Sequence, residues 1–256
     1  MKITVVQPDI IWEDKPASLR KLDMLISSIT CEPDIVILPE MFNTGFSMNP
    51  ELLYENPGSV TFEWMKSKSS KGNYGICGSY IVGENGLFFN RWLFVSPEGE
   101  TWSYDKRHLF SPGGEDMLFT RGTKRLVFTY RGVRICPNIC YDLRFPVWSR
   151  NNNDYDLLIN SANWPAPRHS LWLILLKARA IENQCYVVGA NRIGLDGAGV
   201  NYKGDSVLID PRGNIISTPA DTRECAVSGE ISMNELSDFR EKFPVLKDAD
   251  QFSIKL

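Results

Sequence analysis

Residues 131–148 read RGVRICPNICYDLRFPVW. From Val133 to Ile139 the run is apolar and β-rich, interrupted by Pro137 and Asn138, and Cys140 stands at its end, ahead of a turn. A cysteine in that place can present its sulfur to a pocket and offer the next backbone N–H, that of Tyr141, to a developing oxyanion. Two more residues close short strand-like runs in the same way: Glu40 in IVILPEMF and Lys106 in WSYDKRHLF. A carboxylate, an ammonium and a thiol, each at the end of its own strand, could converge on one pocket.

Working outward, β-rich runs recur at 3–7, 35–38, 75–82, 87–95, 125–130, 133–136, 156–160, 185–191, 206–210, 215–218 and 226–231. Many are near-continuously apolar, as strands covered on at least one face should be. Helical patterns lie between them. Residues 16–29 carry Leu19, Leu22, Leu25, Ile26 and Ile29 on one face, with Pro16 suited to a first turn. Residues 170–184 read as a more buried helix, and 60–71 and 233–240 as shorter ones. Asn85-Gly86 and Pro211-Arg212-Gly213-Asn214 read as hairpin turns. Alternating strands and helices give an α/β fold with added hairpins. With no linker or repeat in sight, residues 1–256 read as a single domain, and the tail after Glu241 reads as irregular and free to pack on a partner subunit.

Composition narrows the function. The 256 residues are 43% hydrophobic and 23% charged, with a net charge of −3. Such a balance argues against nucleic acid or an anionic membrane as partner. No apolar stretch approaches the ~18 residues of a membrane span, and the first apolar run stops at Gln7-Pro8-Asp9, too short for a signal-peptide core. A cytoplasmic location is the expectation. Six cysteines are scattered without a CxxC pair, and there are only two histidines, so neither a metal site nor a disulfide framework is expected. No GxGxxG or phosphate loop is present, and no cofactor is expected.

A free thiol is only roughly 3% thiolate at neutral pH. Cys140 therefore needs a base or a cation beside it. Glu40 could take the thiol proton and later activate water. Lys106 could hold the thiolate and, with the Tyr141 N–H, the oxyanion. Glu115, nine residues beyond Lys106 in SPGGED, could hydrogen-bond to the base or the lysine. Taken singly, each has an ordinary reading: a core cysteine, a capping carboxylate, a solvated lysine, an exposed loop glutamate. The constellation carries the argument.

LPEMF (38–42), YDKRHLF (104–110) and CYDLRFPVWSRN (140–151), in that order, resemble the Glu–Lys–Cys signature of the nitrilase superfamily, and within it the bacterial omega-amidases. NWPAPR (163–168), KARAIENQ (177–184), NRIGLDG (191–197), YKGDS (202–206) and REKFP (240–244) extend the resemblance over nearly the whole chain. It implies a four-layer α-β-β-α sandwich that forms a homodimer or higher homo-oligomer. It also implies Glu40 as base, Lys106 as oxyanion residue, Cys140 as nucleophile and Glu115 as second glutamate. The implied reaction hydrolyses the distal amide of a short 2-oxo dicarboxylic acid monoamide, 2-oxoglutaramate or 2-oxosuccinamate, through a thioester.

Rival readings remain open at this point. Cys136 is another thiol, but Pro137 follows it and supplies no N–H. His108 or His169 could serve a Cys–His mechanism. The same triad could run a carbamoylase or nitrile hydrolase, or the chain could be a non-catalytic scaffold. For the substrate carboxylate Arg144 is the first candidate and Arg168 the second, since a guanidinium binds a carboxylate through two parallel hydrogen bonds. Alternatively, Arg144 forms a structural ion pair with Asp142 or another acid.

Overall fold

Near-continuous apolar strands imply burial on both faces, and the computed structural model, which describes residues 1–220 and 222–255, shows what covers each face. In chain order the elements are β1 (Lys2–Gln7), α1 (Lys15–Ser27), β2 (Ile35–Ile37), α2 (Pro50–Leu53), α3 (Val60–Gly72), β3 (Gly75–Glu84), β4 (Leu87–Val95) and β5 (Thr101–Asp105). Then follow α4 (Glu115–Leu118), β6 (Phe128–Tyr130), β7 (Val133–Ile139), β8 (Leu157–Ser161), α5 (His169–Asn183), β9 (Tyr186–Ala190), β10 (Ile193–Leu195), β11 (Asn201–Lys203), β12 (Val207–Ile209), β13 (Cys225–Glu230) and α6 (Met233–Lys242).

One sheet has the order β13-β1-β2-β3-β4-β5 and the other β12-β9-β8-β7-β6, with β10 and β11 forming a separate hairpin. The central strands β1, β2 and β3 run parallel, as do β7, β8 and β9, and the outer strands are antiparallel. Successive side chains of a strand point to opposite faces. Accordingly Ile3, Val5, Ile35 and Ile37 of the first sheet meet Ile135, Leu157, Ile159 and Val188 of the second in one core. The intervening Val6, Val36 and Ile76 face Leu19, Leu22 and Ile26 of α1 and Met65 of α3. On the far side Cys136, Leu158 and Val187 face Trp172, Leu176 and Ala180 of α5. The result is a four-layer α-β-β-α sandwich, and Cys136 is a core residue of its second sheet.

Local chemistry accounts for the element ends. Asp14 caps α1 by accepting the Ala17 N–H at 2.9 Å, with Pro16 in the first turn. Asn85 and Gly86 alone join β3 to β4, both at positive φ (53° and 76°), the two-residue turn that matches strand twist. Pro137 lies inside β7 because β6 pairs only with Val133–Ile135, so its missing N–H falls beyond that ladder.

Some expected boundaries move. The strand expected at 125–130 starts at Phe128, because only Phe128–Tyr130 finds ladder partners, on Val133–Ile135; Arg125 pairs with Asp154 outside the strand. Residues 215–218 make only isolated bridges, Ile215 to Ile209 and Ser217 to Gly229. The β10–β11 hairpin was hidden by strands of three residues each. Beyond α6 there is a single turn of 3-10 helix at Val245–Asp248.

Candidate active site

Strand ends deliver the polar groups. Glu40 follows β2, Lys106 directly follows β5, and Cys140 directly follows β7. Lys106 Nζ donates to Glu40 Oε1 at 2.7 Å and to Glu115 Oε2 and Oε1 at 2.8 and 3.1 Å. All three side chains are fully buried. Two carboxylates thus share one ammonium. Burial alone would lower the Lys106 pKa, but Glu115 and Glu40 outweigh it and hold the ammonium firmly charged. Glu115 is pushed up, first by burial and further by Glu40, with Lys106 opposing.

Glu115 was expected in an exposed glycine-rich loop as its ordinary reading. It instead opens α4, where the Phe110 N–H donates to its Oε2 at 2.6 Å. Asn90, which the sequence reading passed over, sits fully buried in mid β4. Its Nδ2 donates to both Glu40 Oε1 (2.8 Å) and Glu115 Oε1 (3.0 Å), while its Oδ1 accepts from Ser79 Oγ at 2.8 Å. Asn163 holds the other side of Glu40: its N–H donates to Oε2 at 2.9 Å and its Nδ2 to the Glu40 carbonyl at 2.6 Å. A signal existed for Asn90, a lone amide inside the apolar run LFFNRWLFV; Asn163 gave none beyond its place in NWPAPR.

Cys140 opens a turn of 3-10 helix, Cys140–Arg144, with φ +43°, the left-handed region that non-glycine residues avoid. The first N–H groups of such a turn have no acceptor within it, and that of Tyr141 is one of them. Asp142 pins the turn: it accepts the Ile139 N–H (3.0 Å), the Tyr104 hydroxyl (2.8 Å) and the His108 N–H (2.9 Å). The Cys140 thiol faces the Asn163 carbonyl at 3.8 Å. Burial and then Glu40 push this thiol up, Lys106 pulling the other way, so it rests protonated, and a thiol in that state acts as a nucleophile only with a base beside it.

The histidines lie elsewhere. The His108 ring stacks on Phe145 with its Nδ1 2.8 Å from Asp142, and His169 sits 3.5 Å from Asp205. Cys136 is buried and its thiol is pushed up to about 12 by burial. Arg144 does not pair with Asp142, whose oxygens are already occupied; its guanidinium lies over the Trp164 ring, 5.0 Å from the centroid, and among the described residues no acid pairs with it. Arg168 lies over Phe110 at 5.5 Å.

Glu40, Lys106, Cys140, Arg144 and Arg168 share one cavity of about 850 Å³. Phe46, Met48, Phe110, Tyr141 and Trp164 supply apolar wall, and Asp196 and Ala198 to Tyr202 of the β10–β11 hairpin close another side. Among the described residues no group of three or more His, Cys, Asp or Glu side chains is placed to hold a metal ion. A half-buried thiol next to a carboxylate–ammonium network, facing a cavity with guanidinium groups, suits acyl transfer from a small anionic substrate.

Comparison with known proteins agrees with this chemistry. The family model for carbon-nitrogen hydrolases matches residues 2–241. The chain is 46% identical to the omega-amidase YafV of Escherichia coli (strain K12), covering 99% of this chain and 98% of that protein. It is 33% identical to the 2-oxoglutaramate amidase of Bacillus subtilis (strain 168), covering 96% of each. The crystal structure of XC1258 from Xanthomonas campestris, a CN-hydrolase superfamily protein with an arsenic adduct in its active site, superimposes with a TM-score of 0.95 at 37% identity, over 100% of this chain and 99% of that one.

Proposed function

This chain belongs to the carbon-nitrogen hydrolase family and is an amide-hydrolysing enzyme, and from that premise we propose that it releases ammonia from the distal amide of a 2-oxo dicarboxylic acid monoamide, 2-oxoglutaramate or 2-oxosuccinamate. The observation that carries the substrate class is Arg144. Its guanidinium shares the cavity with Cys140 and has no acid partner among the described residues. A half-buried guanidinium without an acid partner is matched by a substrate carboxylate, which it can grip with two parallel hydrogen bonds. Arg168 stands ready as a second contact.

In the proposed reaction Glu40 takes the Cys140 proton and the sulfur attacks the amide carbon. The oxyanion forms between the Lys106 ammonium and the Tyr141 N–H. Glu40 returns the proton to the nitrogen, the carbon–nitrogen bond breaks, and ammonia leaves a thioester on Cys140. Water, deprotonated by Glu40, attacks that thioester. The C–S bond breaks, the thiol recovers its proton, and the 2-oxo dicarboxylate departs. Glu115 and Asn90 hold Lys106 and Glu40 in register throughout, which is supported by their shared hydrogen bonds.

The whole chain acts as one hydrolase unit in this reading, in the cytoplasm and as a homodimer. Leu171, Ile174 and Ile181, exposed and three to seven residues apart on the outer face of α5, support self-association. No helix among the described residues is long and apolar enough to cross a membrane.

The test is ammonia release from a matched panel of 2-oxo acid amides, nitriles and carbamoyl compounds, with intact-mass detection of an acyl adduct on Cys140. Turnover should be fastest on the 2-oxo acid amides and absent in Cys140→Ala. Preference for a carbamoyl compound or nitrile would overturn the substrate, and activity retained by Cys140→Ala would overturn the nucleophile.

A further inference from the structure

Asn191, the first residue after β9, has no part in the reaction sequence above, yet its side chain is fully engaged beside it. It is 2% exposed. Its Oδ1 accepts the Trp164 N–H at 2.8 Å and the Arg192 N–H at 2.9 Å. Its Nδ2 donates to the Trp164 carbonyl at 3.1 Å and to the Gly204 carbonyl at 2.7 Å. It thus grips the backbone of Trp164 from both sides and ties that segment to the chain leaving the β10–β11 hairpin.

The Trp164 N–H belongs to the same planar trans peptide as the Asn163 C=O. In a trans peptide these two bonds point in opposite directions, so holding the N–H fixes the carbonyl. That carbonyl is the acceptor facing the Cys140 thiol at 3.8 Å. Asn163 is fastened at its other end too, through its N–H to Glu40 Oε2. Asn163 therefore bridges the two groups: its carbonyl, in the plane that Asn191 holds, faces the sulfur, and its N–H, in the preceding peptide, holds the carboxylate that is to receive the proton.

We propose that Asn191 is a positioning residue for the nucleophile: by holding the Asn163–Trp164 peptide plane, it sets the direction of the Cys140 S–H relative to Glu40. The inference rests on the reading of Cys140 as nucleophile. A sulfur misdirected in this way slows the chemical step whatever the far end of the substrate carries.

Asn191→Ala removes both grips, and Asn191→Asp keeps the acceptor for the Trp164 N–H while losing the donors. Ser206→Ala is the control, because Ser206 Oγ bonds only the backbone of Asn191, at 3.1 Å in each direction, and loosens the same residue without releasing the peptide. Steady-state kcat and KM are measured on a carboxylated and a neutral amide, together with melting temperature and the rate of Cys140 alkylation by iodoacetamide. Asn191→Ala should lower kcat about tenfold, the equivalent of one good hydrogen bond, equally on both amides, and slow alkylation in parallel. Asn191→Asp should recover most of that kcat even though a buried carboxylate lowers its melting temperature, and Ser206→Ala should lose stability but keep kcat within about twofold. Asn191→Ser takes the place of the alanine variant if that fails to fold. Equal kcat in Asn191→Ala and wild type would overturn the proposal, as would an Asn191→Asp enzyme as slow as Asn191→Ala, or a Ser206→Ala enzyme slowed to the same degree. Cys140→Ala, run alongside, separates the two ideas: its retained activity would remove the nucleophile itself, while a dead Cys140→Ala beside a fast Asn191→Ala would remove only the role of Asn191.

Discussion

Replacing Asn90 by alanine tests whether two carboxylates can share one ammonium unaided. Asn90 Nδ2 donates to Glu40 Oε1 at 2.8 Å and to Glu115 Oε1 at 3.0 Å, in a site closed to solvent. A hydrogen bond to a charged group is worth about 1.5–3 kcal/mol, so losing two removes ~3–6 kcal/mol, part of which an entering water restores. Taking ~3 kcal/mol as the net loss, Tm should fall by about 6–12 °C for a chain of this size. The loss also has a pH sign. Burial and Glu40 hold the Glu115 carboxyl above its ordinary range, while Lys106 and Asn90 restrain it. Without Asn90 it rises further. A carboxyl raised in the folded state contributes its stability while protonated, and that stability is lost as pH rises through the raised folded value. The Tm deficit of Asn90→Ala should therefore be larger at alkaline than at acidic pH. Glu40, freed from one donor, can turn away from the sulfur, and kcat should fall about 10²-fold, the lower end of a general base's contribution. Differential scanning fluorimetry across pH and ammonia release from 2-oxoglutaramate read both effects. An Asn90→Ala enzyme with kcat within about threefold of wild type, whatever its Tm, would refute the reasoning.

Four further outcomes are expected. Lys106→Ala should lower kcat by at least ~10²-fold in the ammonia assay, the usual cost of a lost oxyanion donor. Arg144→Lys should raise KM strongly for carboxylated amides, spare a neutral amide of similar size and leave the melting curve in place, because the guanidinium touches a ring and no acid. Peptide mapping after iodoacetamide treatment should find Cys140 modified and protected by substrate, and Cys136 untouched below strongly alkaline pH, since its thiol is buried and pushed up to about 12. His108→Ala and His169→Ala should both stay within about tenfold of wild-type kcat, because neither ring moves a proton in the proposed reaction.

Much of this was legible in the chain because strands declare their ends. Glu40, Lys106 and Cys140 each follow an apolar run, and although each alone has an ordinary reading, the three together at such boundaries are hard to account for by packing. Period-two burial on both sides of β1, β2, β8 and β9 made those strands plain but could not say how many layers they form; the resemblance supplied that. Glu115 was harder to place, since four helical residues behind two glycines look like loop. The amides were the real gap. Asn90, Asn163 and Asn191 read locally as turn formers or strand interruptions, and their value lies in contacts separated by 50, 123 and 27 residues. Asp142 was legible as a charge but not as the acceptor of three donors, and so it was offered to Arg144 as a partner it cannot serve.

The backbone of Cys140 has a consequence for the history of the chain. At φ +43° a side chain at this position costs of order 1–3 kcal/mol, tension that the surrounding fold must contain. Glycine sits there without that cost, a gain reduced by the ~0.4–1 kcal/mol of freedom it adds to the unfolded chain and by the side-chain packing it gives up. Selection for durability and selection for turnover thus pull this single codon in opposite directions. With Cys140 as the proposed nucleophile, cysteine to glycine at 140 would silence the enzyme and release that tension at once, at the loss of the packing its side chain gives to two core clusters.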